Sequence, residues 1–143
     1  MKTWKIIVLA IAVAGLIAAL YVWFFVYNKP HRDYIVAEPD MELTAEQLYF
    51  DFIEDEQLAH ETYNGKVLEI QGELTNVEQV EDMVILNFVI DEGMFGGEGV
   101  RCTMLEPFHQ EALSLEAGTM LTVKGFCTGF TGSDVILEHA SFP

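Results

Sequence analysis

The segment Gly65-Lys-Val-Leu-Glu-Ile-Gln-Gly-Glu-Leu74 decides how this chain folds, because from here onward the pattern is that of a β-domain. Leu68, Ile70, Gly72 and Leu74 share one parity, while Glu69, Gln71 and Glu73 hold the other. That is the two-residue period of a strand with one wet face. Gly72 interrupts the apolar row, and a glycine inside a strand marks a bulge or a bend that lets a first strand pair on two sides. Leu121-Thr-Val-Lys-Gly-Phe-Cys127 repeats the alternation around Gly125. Two bent strands predict a small closed barrel.

Before the first strand, Thr44-Ala-Glu-Gln47 matches a capping box, with Leu43 and Leu48 at the positions of a hydrophobic staple. An amphipathic helix is predicted over 45–63, burying Leu48, Phe52, Ala59 and Tyr63. The run Glu54-Asp-Glu56 faces water on this reading, since it lacks the Asp-x-Asp-x-Asp-Gly spacing of a Ca²⁺ loop. Residues 29–42, with Pro30 and Pro39 and no apolar period, read as a juxtamembrane linker.

Residues 1–28 read as a transmembrane anchor. After a short basic start, 6–27 is a run of 22 residues without a charge, which as a helix reaches roughly 33 Å against a hydrocarbon core of about 30 Å. Trp4 precedes it and Tyr21, Trp23 and Tyr27 crowd its end, where interfacial aromatics belong. A signal peptide is the competing reading. Its cleavage motif, Ala12-Val-Ala14, falls in the middle of the apolar run, so the segment is expected to stay attached. The positive charges nearly balance across it, and a signal-anchor orientation places residues 33–143 away from the cytoplasm. Ala10, Ala14 and Ala18 form a small-residue row that suits homodimerisation through the helix, although ordinary anchor composition explains it as well.

Downstream of the first strand, 76–82 reads as a polar loop and 83–90 as a second strand with Val84, Leu86 and Phe88 inward and Asn87 outward. The glycine-rich stretch 93–99 is read as a hairpin into a short third strand whose inner residues are Val100, Cys102 and Met104. Pro107 suits the first turn of a helix burying Phe108, Ala112 and Leu115, with Gly118 at its C-cap. The fourth strand follows, then a turn between Gly129 and Gly132, then a fifth strand over 134–142.

Three strands, a short helix and two more strands is the order of an OB-fold, a five-stranded Greek-key barrel. The fold class predicted is therefore mainly β with helices: an OB-fold barrel over 43–143, preceded by the amphipathic helix and the N-terminal transmembrane helix. The chain resembles the bacterial OB-fold proteins grouped as tRNA_anti-like. The resemblance rests on Lys29-Pro-His-Arg32, Ala59, Tyr63-Asn-Gly65-Lys66, Gly72, Val123-Lys-Gly-Phe-Cys127-Thr-Gly129 and Asp134-Val-Ile-Leu137. It implies the barrel with its preceding helix, in a small membrane-anchored protein of the bacterial envelope. It does not imply tRNA binding, because the family name reports kinship of fold.

Charge narrows the function. All 23 acidic residues lie from Asp33 onward, where only Lys66, Arg101 and Lys124 oppose them, leaving −20 on this part. Phosphate backbones are held by clustered Lys and Arg that displace counterions, and here the field repels them. Cys102 and Cys127 both fall on inward parities and read as buried thiols, with a disulfide the competing reading. His109 and His139 have no companion at zinc-ligand spacing, and no metal site is expected. Neither Gly-x-Ser-x-Gly, a phosphate loop nor His-Glu-x-x-His occurs, so no enzyme and no cofactor is expected. Two classes of function remain: an acidic membrane-tethered module binding a protein or small ligand, and a nucleic-acid binder. The face of the second and third strands and its bordering loops supplies the candidate ligand-binding residues Asn87, Phe95, Arg101 and Phe130.

Overall fold

The structure is a computed structural model that describes residues 1–27 and 34–143. Its contacts divide into two units, Met1–Arg32 and Asp33–Pro143. The Lys29-Pro-His-Arg32 stretch and the first part of the expected linker lie outside the described residues.

In the first unit, helix α1 (Lys2–Val22) continues through a π turn at Trp23–Tyr27. Together they make 26 residues, long and apolar enough to cross a membrane, with no residue buried inside the protein. An apolar helix of this length is what a lipid environment would cover. At the end of the helix Tyr21 stacks on Phe25 and Trp23 on Tyr27, with ring centroids 4.8 and 6.0 Å apart.

The second unit runs β1 (Met41–Thr44), α2 (Ala45–Glu54), α3 (Glu56–Tyr63), β2 (Val67–Glu73), β3 (Asn76–Val80), β4 (Met83–Gly93) and β5 (Gly96–Met104). A 3-10 turn (Glu106–Phe108) then leads into α4 (His109–Leu113), β6 (Met120–Phe130) and β7 (Asp134–Ser141). Among the described residues, one seven-stranded sheet holds all the strands in the order β1-β2-β6-β7-β5-β4-β3. Its inner five have four of the five neighbour relations of an OB-fold, lacking a β2–β4 ladder but including the parallel β5–β7 pair that places the last strand between the third and fourth.

The expected closed, five-stranded barrel is corrected to an open sheet of seven strands. The reason is competition for an edge. Along β2, residues Leu68 to Gln71 pair with β6 on one side and, in parallel, with Met41 to Thr44 of β1 on the other. The edge a closing strand would use is occupied. The chain hydrogen-bonds to β4 just beyond β2, where the Thr75 amide donates to the Asn87 carbonyl at 2.9 Å and the Thr75 hydroxyl accepts from the Val89 amide at 2.9 Å. The segment read as a linker therefore ends in an edge strand.

Three further readings change. The helix expected over 45–63 is two helices, because Asp55 leaves helical geometry (φ −149°, ψ 90°) and its carboxylate accepts from the Leu58 amide, starting α3 afresh. The Glu54-Asp-Glu56 run is exposed, but Asp55 is a helix cap within it. The polar loop expected over 76–82 is largely β3, joined to β4 by a two-residue turn in which Glu81 takes a left-handed φ of 54°. An edge strand with both faces partly wet carries little apolar alternation, so composition alone mimics a loop. Gly118 is not a helix C-cap. The helix ends at Leu113, and Gly118 (φ +88°) donates its amide to the Leu74 carbonyl at 2.7 Å.

The Thr44 hydroxyl accepts from the Gln47 amide at 3.1 Å, so the N-cap read from the sequence is present. The predicted inner residues all enter one core: Leu48, Phe52, Ala59 and Tyr63 from the helices, Leu68, Ile70 and Leu74, Val84, Leu86 and Phe88, then Val100, Cys102 and Met104. Beneath them Gly72 makes a close approach, since a Cβ there would stand 3.0 Å from Ala45 Cβ and 3.1 Å from the Phe88 ring. On the opposite face, the chain entering β1 is held to the sheet. Lys124 Nζ donates to the carbonyls of Ile35 and Ala37 at 2.8 and 2.7 Å, and the Tyr34 ring lies 4.5 Å from that of His139, with planes 3° apart.

Candidate functional site

The sheet alternation that sends Leu86 and Phe88 inward sends Asn87 to the outer face, and the same holds for Arg101 between Val100 and Cys102. The registers Asn76↔Asn87, Asn87↔Arg101 and Arg101↔Ile136 line these positions up in one row across β3, β4, β5 and β7. Asn76, Asn87 and Arg101 line a groove of about 270 Å³, with Glu78 on β3, Val89 on β4, Gly97 on β5 and Asp134 at the start of β7. The sheet puts these side chains side by side although they come from four segments.

The groove is polar and its charges are largely matched. Arg101 Nη2 donates to Glu78 Oε2 at 2.9 Å, in an ion pair whose side chains are 38% and 43% exposed. Asp134 is held from both sides: Oδ1 accepts from the Gly99 amide at 3.1 Å and Oδ2 from the Ser133 hydroxyl at 3.2 Å. Gly99 is required there, since a Cβ would fall 1.9 Å from the Phe88 carbonyl oxygen. Counting Arg101 against Glu78 and Asp134, the groove carries one excess negative charge.

Of the four candidate residues, Asn87 and Arg101 come together and the two aromatics do not. Phe95 stands at the tip of the β4–β5 hairpin, 99% exposed. Phe130 is registered against buried Val135 and stacks on Phe52 with centroids 5.4 Å apart, so it packs on the core. The ring that looked available for a ligand belongs to the helix-sheet contact. Sequence reasoning missed Asn76, Glu78 and Asp134. The signal lay in β3, whose residues reach this face only if 76–80 is a strand.

Beyond the groove, the buried Tyr49 hydroxyl donates to Glu98 Oε2 at 3.0 Å. Burial first, then that hydrogen bond and the carboxylates of Glu98, Asp91 and Asp134, push the phenol up to about 12. Asp91 and Glu98 face each other across β4 and β5, a like-charge pair with one member bonded to the tyrosine. Among the described residues no group of three or more His, Cys, Asp or Glu is arranged to hold a metal ion.

The chain matches the model of the tRNA_anti-like family over residues 1–141. No curated protein matches it by sequence. Among solved structures, a lipoprotein from Klebsiella pneumoniae, whose description assigns nucleic-acid binding provisionally, is 16% identical with a TM-score of 0.57. That likeness covers 80% of this chain and 99% of the lipoprotein. The aspartyl-tRNA synthetase of Entamoeba histolytica is 12% identical with a TM-score of 0.45, over 75% of this chain and 26% of the synthetase. At such identities the first of these shows a shared fold. With the family model spanning nearly its whole length, the chain belongs to the tRNA_anti-like family.

Proposed function

We propose that the protein is a membrane-anchored, acidic OB-fold module without catalytic activity, which binds a protein or small ligand at the cell envelope through the β3-β4-β5 groove. The observation that carries this reading is the Glu78–Arg101 pair. The one cation in the groove is already engaged by a carboxylate, in a domain that bears −20 from Asp33 onward. Polyanion binding needs cations free to displace counterions. The apolar α1 fits an anchor, and kinship of fold with a lipoprotein is in keeping with an envelope location.

Nucleic-acid binding is the second reading, favoured by the provisional description of the Klebsiella lipoprotein. Mobility shift of the full chain in detergent with single-stranded DNA and RNA at low salt separates the two. No retention is expected up to micromolar protein. Tight, salt-sensitive retention abolished by Arg101→Ala would replace the first reading with the second.

A further inference from the structure

We infer that the groove takes a neutral, polyhydroxylated ligand of the oligosaccharide class, an inference that rests on the groove being the binding site proposed above. The chemistry of its lining is the reason. Asn76 and Asn87 stand next to each other in the cross-strand row, and neither side-chain amide has a hydrogen-bond partner among the described residues. Each amide offers a donor and an acceptor on one carbon. Beside them Arg101 bonds Glu78 through Nη2, which leaves further guanidinium donors and Glu78 Oε1 open to the groove. Planar two-atom groups of this kind meet adjacent ring hydroxyls in pairs, each hydroxyl donating to one atom and accepting from another.

Other ligand classes fit the same lining less well. A polyanion finds no unmatched cation, since Arg101 is paired with Glu78. A cation finds Asp134 already satisfied by the Gly99 amide and the Ser133 hydroxyl, and Glu78 already paired. An extended peptide gains its affinity from unpaired backbone groups at a sheet edge. The groove instead lies on the sheet face, and its central strands β4 and β5 are paired on both sides, so only the outer edge of β3 offers such groups. A purely apolar ligand would strip water from two amides, a guanidinium and two carboxylates without replacing its hydrogen bonds. The half-buried Val89 provides the small hydrocarbon surface on which the C–H face of a sugar ring can rest. At about 270 Å³ the groove is just below the usual range of small-molecule pockets, a size for one or two rings at a time.

The test uses the isotopically labelled full chain in lipid nanodiscs, avoiding detergents with sugar head groups, titrated with maltotetraose, cellotetraose and chitotetraose. The side-chain amide signals of Asn76 and Asn87 and the backbone signal of Arg101 should move with at least one tetrasaccharide. Asn87→Leu, and separately the more exposed Asn76→Ala, should weaken that response at least tenfold while core signals such as Leu137 stay in place. If no tetrasaccharide moves these signals but tetralysine or an oligothymidylate does, the groove is a binding site and the ligand class inferred here is wrong. If none of the probes moves them, the ligand class inferred here is wrong and, of the proposed function, only a protein partner is left.

Discussion

Cys102 and Cys127 flank Leu137 from opposite sides, each registered directly against it on β7. One strand thus lies between them, and two inter-strand spacings of about 4.8 Å put their Cα atoms well past the roughly 7 Å that a disulfide tolerates. Burial and then the neighbouring Cys127 push the Cys102 thiol far up. Burial raises Cys127 to about 11, with a backbone hydrogen bond at Gly129 pulling the other way. Both thiols should therefore remain free and unreactive in the folded protein after air oxidation. Iodoacetamide followed by mass spectrometry should add no group to the native chain and two in denaturant. A single oxidised pair would mean that the β5-β7-β6 register is wrong.

Gly72 has Ala45 Cβ at 3.0 Å and the Phe88 ring at 3.1 Å from where a Cβ would sit. Gly72→Val adds two methyl groups beyond that point, against a helix start on one side and the core on the other. It should destabilise the protein by more than the roughly 1 kcal/mol spread of strand propensities. Gly72→Ala should cost less, because only a few tenths of an ångström must be found. Urea unfolding of the three proteins checks the order, and an unchanged midpoint for the valine variant would show that β2 does not approach α2 and β4 this closely.

Two buried phenols make stability fall at high pH. Tyr49 is raised to about 12 by burial and by Glu98, and Tyr63 to about 12 by burial and by Asp51, which accepts its hydroxyl. Above pH 10 the unfolded chain releases these protons while the folded chain keeps them, so unfolding is favoured as pH rises. The stabilisation is complete below pH 10 and is lost between about pH 10 and 12. Urea midpoints measured across that window should drop more steeply for the wild type than for Tyr49→Phe combined with Tyr63→Phe. Parallel curves would show that the two hydroxyls ionise as freely folded as unfolded.

Removing the carboxylate that holds Arg101 should change binding more than stability. The Glu78–Arg101 pair is more than a third exposed on both sides, a setting in which ion pairs contribute about 0–1 kcal/mol. Glu78→Gln should therefore leave the melting temperature nearly unchanged while raising low-salt affinity for single-stranded DNA from undetectable to measurable. Nitrocellulose filter binding at 20 mM and 200 mM NaCl reads this directly. Strong retention of DNA by the wild type at both salts would contradict the argument from charge.

The −20 carried from Asp33 onward also bears on stability. Like charges on one small surface repel, and salt screens them within a Debye length of about 10 Å at 0.1 M. Adding NaCl up to about 0.5 M should raise the melting temperature of the full chain in nanodiscs, followed by the far-ultraviolet signal of the β-domain. A flat response would mean that the carboxylates are compensated locally, as Glu78 and Asp134 are.

On the anchor, a reporter active only outside the cytoplasm, fused after Pro143, should give signal, since the expected orientation keeps Lys2 and Lys5 inside. An active cytoplasmic fusion beside a silent external one would invert the arrangement.

What the amino-acid sequence determined by itself is the part of the fold that short-range physics controls. An uncharged run sets α1, a hydroxyl three residues before Gln47 starts α2, and a period of two assigns Leu68, Val84 and Cys102 to the inside. Each depends on neighbours within a few positions, so each is visible in a linear string. The tertiary structure alone decided how strands share edges. Met41 to Thr44 look like the end of a linker and the start of a helix, and Asn76 to Val80 like a loop, until β2 and β4 offer them partners, and the first of these pairings keeps the sheet open. The candidate groove follows the same rule. Asn87 and Arg101 were legible as outward-facing residues, but Asn76, Glu78 and Asp134 join them only through registers set between segments far apart in the chain. Phe130 shows the converse, because a loop-proximal aromatic and a core aromatic have the same local pattern until Phe52 is seen beneath it.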